Sequence, residues 1–430
     1  MRGRLALYAG LIAAATVVQL LRVWQLDPLR HIYFEDGFRW LADAENADLG
    51  TALTSTYNGY LQTSSRLVAE VVAMLPVGWW AAAMAVSGAA IVSACAFVVW
   101  RTSAAQIRDR YLRAGLAALV ILCGAFGPEA LGNVVDTIWF ITFACLWLLL
   151  WRPGSERAAG LAGAALILGG LSHTAMIFLA PVWLLRAIAV RDRRDLLIVG
   201  GYALGVLVQF VVSHQDLSQN QAGLDYIGGN HWDWNLVLGY AQRAVGETLL
   251  GHTIDAELWG WIGWPFAALL LALFAGLVIR GLQLARTRLI VPLLSVTSLA
   301  LFLTTGYLRW PVGGSDLFWG AEADTVADRY VVIPALLLLT AIVIQLDAEL
   351  ARASPRRAGV LAGALASALA CVLISFPIEP VTSGLAPTWG ADLDQARAQC
   401  DATGVETVNV VPLPDTFALL VIPVDCERLR

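Results

Sequence analysis

The chain has 430 residues, of which 58% are hydrophobic and only 14% charged, and its mean hydropathy is +0.68. Those values exclude an ordinary soluble domain. The formal net charge of -5 comes from 33 acidic residues against 28 basic ones, and every basic residue is arginine; nothing in this pattern suits a nucleic-acid binder.

About 20 apolar residues cross a bilayer, and the chain offers such runs repeatedly. The first run continues past Ala13, Ala14 and Ala15 with no cleavage region after it, so it reads as an uncleaved span rather than a signal peptide. In chain order the predicted spans are 4–22, 78–100, 114–131, 137–151, 158–172, 174–190, 195–213, 261–280, 289–307, 330–346 and 358–376. A tight turn at Ser172, His173 and Thr174 separates the fifth from the sixth. Alternating sides from Arg2 and Arg4 puts 18 Arg and 6 Asp/Glu on one face, and 10 Arg and 27 Asp/Glu on the other. Arginine-rich connections stay cytoplasmic. The expectation is therefore an all-α polytopic membrane protein of about 11 transmembrane helices, N-terminus inside and C-terminus outside. The absence of lysine fits a GC-rich bacterial genome and hence a plasma-membrane location.

Residues 1–376 form the expected transmembrane domain, with extracytoplasmic loops 23–77, 214–260 and 308–329; residues 377–430 form a small extracytoplasmic α/β tail. In loop 23–77, Phe34, Phe38, Trp40 and Leu41 recur at helical spacing, which suits an amphipathic helix on the membrane surface. The stretch Arg66 to Val77 reads as a second such helix, stopped at Pro76. The tail predicts a helix at 391–400 and two strands at 405–411 and 417–424. Fifty residues are too few for an independent core, so the tail should dock on the membrane part. Cys400 and Cys426 lie in it, outside the cell where disulfides persist, and are expected to pair. Cys95, Cys123, Cys145 and Cys371 fall in apolar spans as inert core residues.

The sharpest local feature is Glu35-Asp36 in HIYFEDGFRW. One reading is a solvated helix start capped by Asp36. The other is a partly buried carboxylate serving as general base on a hydroxyl. Arg329, Arg66, Arg309 and Arg243 are among the few outer arginines. Their forks suit a phosphate, and surface ion pairing is the ordinary alternative. Glu129 and Asp136 flank a short outer turn; with Asp36 they would offer hard oxygen ligands to a divalent cation such as Mg, Mn or Ca. Trp232 and Trp234, in NHWDWN, fit either sugar stacking or an interfacial belt. His173 reads as a satisfied core residue.

Placed just after an Arg-flanked first span, the Glu35-Asp36 pair resembles the GT-C superfamily of multi-span glycosyltransferases. Tyr57-Asn58-Gly59-Tyr60-Leu61 followed by Arg66-Leu67 is similar to first loops of bacterial members. Glu129-Ala130-Leu131-Gly132-Asn133 through Asp136 and Trp139 resembles the second outer loop of the family, and Asp328-Arg329-Tyr330 its Arg-Tyr element. The pair here is Glu-Asp rather than Asp-Asp, no WWD-type acceptor motif is present, and the tail is smaller than in oligosaccharyltransferases.

The resemblance implies a polyprenyl-phosphate-linked sugar as donor and a glycan, lipid or protein as acceptor. It implies an inverting transfer on the extracytoplasmic face, with Asp36 as base and Glu35 as its neighbour or as the base itself. Tyr330, Asn133 and Tyr60 would then contact substrate. A transporter or lipid flippase, a non-catalytic assembly subunit and an O-antigen-ligase-like enzyme are the competing readings. Inverted repeats and spans interrupted by charge at mid-bilayer, which a transporter would show, are absent from the sequence.

Overall fold

The computed structural model describes residues 2–127, 129–215, 232, 234–309, 328–378, 388–410 and 421–430. Six helical stretches among these are long and apolar enough to cross a membrane: Leu5–Arg22, Val77–Ala105, Arg193–His214, Trp264–Gln283, Ile290–Leu308 and Arg329–Leu350. Shorter apolar helices accompany them, and the single sheet has two strands. The chain is thus helical and polytopic by length and composition.

In chain order the helices are α1 (Arg2–Arg22), a π-helix (Asp36–Leu41), α2 (Ala42–Asn46), α3 (Leu49–Thr54), α4 (Thr63–Ala73), α5 (Trp80–Thr102), α6 (Arg110–Leu122), α7 (Thr137–Leu150), α8 (Glu156–Ser172), α9 (Ala180–Ile188) and α10 (Arg193–Gln215). Then come α11 (Asn235–Gly239), a second π-helix (Tyr240–Gly246), α12 (Glu247–Leu250), α13 (His252–Ile262), α14 (Trp264–Gln283), α15 (Ile290–Arg309), α16 (Val332–Leu350) and α17 (Pro355–Ile374). The tail holds α18 (Trp389–Thr403), β1 (Thr407–Val410), β2 (Ile422–Asp425) and α19 (Cys426–Leu429). His173 adopts extended backbone angles between α8 and the turn leading to α9, so the expected break falls there.

Two helices are apolar on every side and therefore sit inside the bundle. In α7 and α16 nearly every residue is buried. Elsewhere the packing depends on small residues. Gly163 and Gly170 of α8 face Gly201 and Gly205 of α10, and a Cβ on Gly201 would lie 2.4 Å from the Gly163 carbonyl oxygen. Such seams let helix backbones approach closely where no hydrophobic drive separates helix from lipid.

The span expected at 114–131 ends early, at Leu122. Its last carbonyls are taken by a buried cation. Arg22, at the end of α1, donates from Nη1 to Ile121 O (2.6 Å) and from Nη2 to Cys123 O (2.7 Å), while Nε reaches Phe376 O (3.2 Å). One guanidinium thereby closes the ends of α1, α6 and α17. The chain leaves the helix after Leu122 and re-enters one at Thr137.

The connection between α1 and α5 also departs from expectation. Residues 36–41 form a π-helix rather than an amphipathic α-helix. Trp40 and Leu41 are buried in a second apolar cluster instead of lying on a membrane surface. That cluster is shared with the tail. The Trp389 ring stacks on Trp80 (6.1 Å), its Nε1 donates to Val77 O (2.8 Å), and its amide donates to Arg30 O (2.7 Å). Arg428 lies over Trp80 at 5.2 Å and donates to Ala73 O at 2.6 Å. β1 and β2 pair antiparallel with Thr407 opposite Asp425; residues 411 and 417–420 of the expected strands lie outside the described part. Cys400 and Cys426 are joined by a disulfide.

The bond closes a loop of 26 residues, for which chain entropy gives a stabilisation of about 3 kcal/mol. Replacing Cys400 and Cys426 by serine should make the tail sensitive to limited proteolysis while the membrane part stays intact; equal resistance of the variant would show that docking alone holds the tail. Arg22→Met leaves several carbonyls without their charged donor and should lower stability by about 3 kcal/mol, read as a fall in the thermal unfolding temperature in detergent.

Candidate active site

Three segments meet beside the N-terminal end of α7. They are the connection between α1 and α5, the connection between α6 and α7 and the turn Asp328–Val331 that leads into α16. Asp36 is the structural pivot. It is 1% exposed, and its two carboxylate oxygens accept the amides of Val134 (2.7 Å) and Val135 (2.8 Å). A helix start favours an anion, since its amides are unfilled and its dipole end is positive; these two amides lie just ahead of α7. The expected local capping by Asp36 does not occur, because its partners are 98 and 99 residues away. Burial raises the Asp36 pKa to about 7, against the lowering effect of the two amides.

Glu35 points elsewhere. Arg329 donates from Nη1 to Glu35 Oε1 at 3.4 Å, and its Nε lies 3.8 Å from Glu129 Oε2. The Arg329 guanidinium also sits 5.4 Å from the centre of the Tyr330 ring. Burial raises the Glu35 pKa above its ordinary 4.5, and Arg329 pulls it partly back. Asp136 completes the group. Its Oδ1 accepts Trp139 Nε1 at 3.2 Å, while Oδ2 is buried without a hydrogen-bond partner. Burial pushes Asp136 well above the carboxylate range; Arg329 opposes this, and Glu35 and Glu129 add to it.

The other expected residues divide into three groups. Asn133 holds the turn before α7 together, donating to Glu129 O (2.7 Å) and accepting the Asp136 amide (2.8 Å). Tyr60 follows the Asn58-Gly59 turn, where both residues take positive φ (52° and 76°) as a two-residue turn requires. Its ring lies 6.3 Å from His173. His173 itself is buried, with Thr142 Oγ1 at 3.0 Å and the Trp139 ring at 4.2 Å, as a satisfied core residue should be. Tyr330 meets Trp139 edge-on at 5.6 Å.

Two arginines expected at a phosphate are engaged elsewhere. Arg66 is buried, pairs with Asp43 at 2.6 Å and lies 4.8 Å from the Trp40 ring. Arg243 is buried on the second π-helix with Glu247 at 3.5 Å. Trp232 and Trp234 are exposed and contact each other at 6.1 Å. Asn230, His231 and Asp233 of the same motif lie outside the described residues, as does the Arg309 side chain.

No group of three or more His, Cys, Asp or Glu is arranged to hold a metal ion among the described residues. Glu129 lies beside the Arg329 guanidinium and both Asp36 oxygens accept backbone amides, so Glu129, Asp136 and Asp36 are not arranged as the divalent-cation site considered from the sequence. Tyr33 went unnoticed in the sequence. It is half-buried, and its pKa is raised by burial and by Asp136 and Glu129. Its position two residues before Glu35 was the available signal.

No family model matches the chain, and no curated protein matches it. Among solved structures, the crystal structure of ArnT from Cupriavidus metallidurans bound to undecaprenyl phosphate is similar over 87% of this chain and 64% of that one, at 16% identity and a TM-score of 0.39. The chain therefore spans less than two thirds of that protein, and a likeness so distant carries no argument about what this chain binds.

Proposed function

We propose that this protein is a membrane glycosyltransferase that moves a sugar from a polyprenyl-phosphate donor to an acceptor hydroxyl on the extracytoplasmic face, inverting the anomeric centre. In this reading the chain crosses the plasma membrane eleven times, N-terminus inside and C-terminus outside, with residues 377–430 as a small outer unit. The observation that carries it is Arg329, held at the start of a membrane helix between Glu35 and Glu129. A cation at that depth beside a carboxylate of raised pKa is what transfer from a lipid phosphate needs.

The geometry divides the acidic pair. Asp36 has both oxygens on backbone amides and acts as a positioning residue. Glu35, 8% exposed, is the base. Its carboxylate takes the proton of the acceptor hydroxyl as that oxygen forms a bond to the anomeric carbon. The bond from that carbon to the phosphate oxygen breaks, and the polyprenyl phosphate leaves with the electron pair. Arg329 binds the phosphate and neutralises the charge that develops there. Drawing Arg329 toward the phosphate also weakens its hold on Glu35, which makes that carboxylate more basic when the donor is bound. Tyr330 and Trp139 form an apolar wall beside it.

Glu35→Gln should lower glycan transfer by about 100- to 10,000-fold with the thermal unfolding temperature unchanged. Asp36→Asn should lower both transfer and unfolding temperature, because its amide group would face two backbone donors. Wild-type transfer in Glu35→Gln rejects the site; lipid movement in proteoliposomes without acceptor favours a flippase instead. Since the base must be ionised, kcat/KM should fall as pH drops through the Glu35 pKa. Burial places that fall above 4.5, and a pH profile of the transfer rate checks it.

A further inference from the structure

At the opposite end of α7 lies a cavity of about 360 Å³ that the proposed transfer does not use. It is formed where α7 and α9 end and α10 and α15 begin. Arg152, Arg186, Arg191 and Arg194 line it, against only Asp192 and Asp195. Both aspartates are already taken: Asp195 by Arg186 (2.7 Å) and Asp192 by Arg194. Arg152 and Arg191 are exposed and make no ion pair among the described residues. The cavity therefore carries a surplus of two guanidinium groups.

Beside Gln106, its remaining walls are mainly apolar, with Leu150, Val182, Leu185 and Ile290 among them. Leu184, Ile188, Leu196 and Leu197 are exposed close by in sequence on α9 and α10, which places the cavity at the membrane surface rather than in bulk water. The floor is rigid. Arg186 donates to the carbonyls of Leu149 and Trp151 and to Asp195, and Arg194 reaches Pro153 O at 3.3 Å.

We infer that this cavity is a binding site for the phosphate of an anionic phospholipid headgroup on the arginine-rich face. Arg152 and Arg191 supply the free forks, and the apolar wall receives the start of the acyl chains. A free phosphate would use only the first half of this lining. A basic recess between helix ends on the cytoplasmic side suits an anionic lipid, at an affinity set by each nearby arginine.

The test is native mass spectrometry of the purified full-length protein in detergent, titrated with phosphatidylglycerol and, separately, with phosphatidylcholine. The wild type should retain phosphatidylglycerol preferentially. Combining Arg152→Ala with Arg191→Ala should weaken that retention roughly 30-fold. The pair Arg110→Ala and Arg288→Ala, exposed arginines outside the cavity, should leave it unchanged. Equal retention of the two lipids, no loss in the first double variant, or an equal loss in the second would overturn the site. Displacement of the lipid by inorganic phosphate at matched concentration would reassign it to a free anion and also overturn the proposal. Both double variants remove only solvent-facing side chains, and unchanged unfolding temperatures verify that they fold.

Discussion

A buried carboxylate tolerates its loss of water only if donors replace that water. Asp36 meets the condition with two backbone amides and no cation within the same contact. Because those amides belong to residues almost one hundred positions later, one side chain welds the connection after α1 to the one before α7. The weld fixes the direction of the next residue back. Glu35 must then face the turn that carries Arg329. The π-helix beginning at Asp36 fits this role, since π-helical segments tend to mark functional positions where a side chain has to be re-aimed.

The charge balance around Arg329 follows from that placement. One guanidinium meets Glu35 and Glu129, with Asp136 contributing to the same field. Burial disfavours the charged forms of Glu35 and Asp136 more than the single guanidinium restores them, and their raised pKa values are its expression. Glu35 and Asp136 thus exchange protons at a higher pH than ordinary carboxylates. The group can also receive further negative charge at Arg329 if an acid is protonated at the same time. Those two capacities are what a step needs when a proton leaves a hydroxyl and a phosphate departs.

Much of this was legible in the sequence, and the parts that were not share a cause. Hydropathy, the Ser172-His173-Thr174 break and the pair Cys400 and Cys426 all depend on local chemistry, and they appear in the structure close to where the residues suggested. The Glu35-Asp36 pair stood out for the cost of placing acids among aromatics. What local reading could not supply was the division of labour between the two. Nothing near Asp36 in sequence tells that Val134 and Val135 will fill its oxygens. Arg66 looked free for a phosphate because its partner Asp43 and the Trp40 face lie in a different turn of the loop. The span at 114–131 was drawn too long because Arg22, about one hundred residues earlier, terminates it. The clustered arginines were legible as a topology signal, but their enclosure of a cavity depends on where α7 and α9 end and α10 begins.

Helix α7 connects the two ends of the molecule and shows why both are rigid. Its N-terminal end is bordered by the acids Asp36 and Asp136, and its C-terminal carbonyls at Leu149 and Trp151 accept from Arg186. Each charge lies at the helix end whose dipole it complements. Fourteen residues at 1.5 Å each make this a strut of about 21 Å, buried on almost every side, with no glycine or proline to bend it. Arg186 spends its donors on the strut and on Asp195, so it cannot serve as a mobile ligand in the cavity it floors. Asp36 is committed in the same way at the other end. The residues left for chemistry or binding are therefore the neighbours of these two anchors: Glu35 beside Asp36, and Arg152 and Arg191 around Arg186. In both places a side chain committed to backbone groups fixes the local geometry, and the adjacent, less engaged charge is left to meet a ligand.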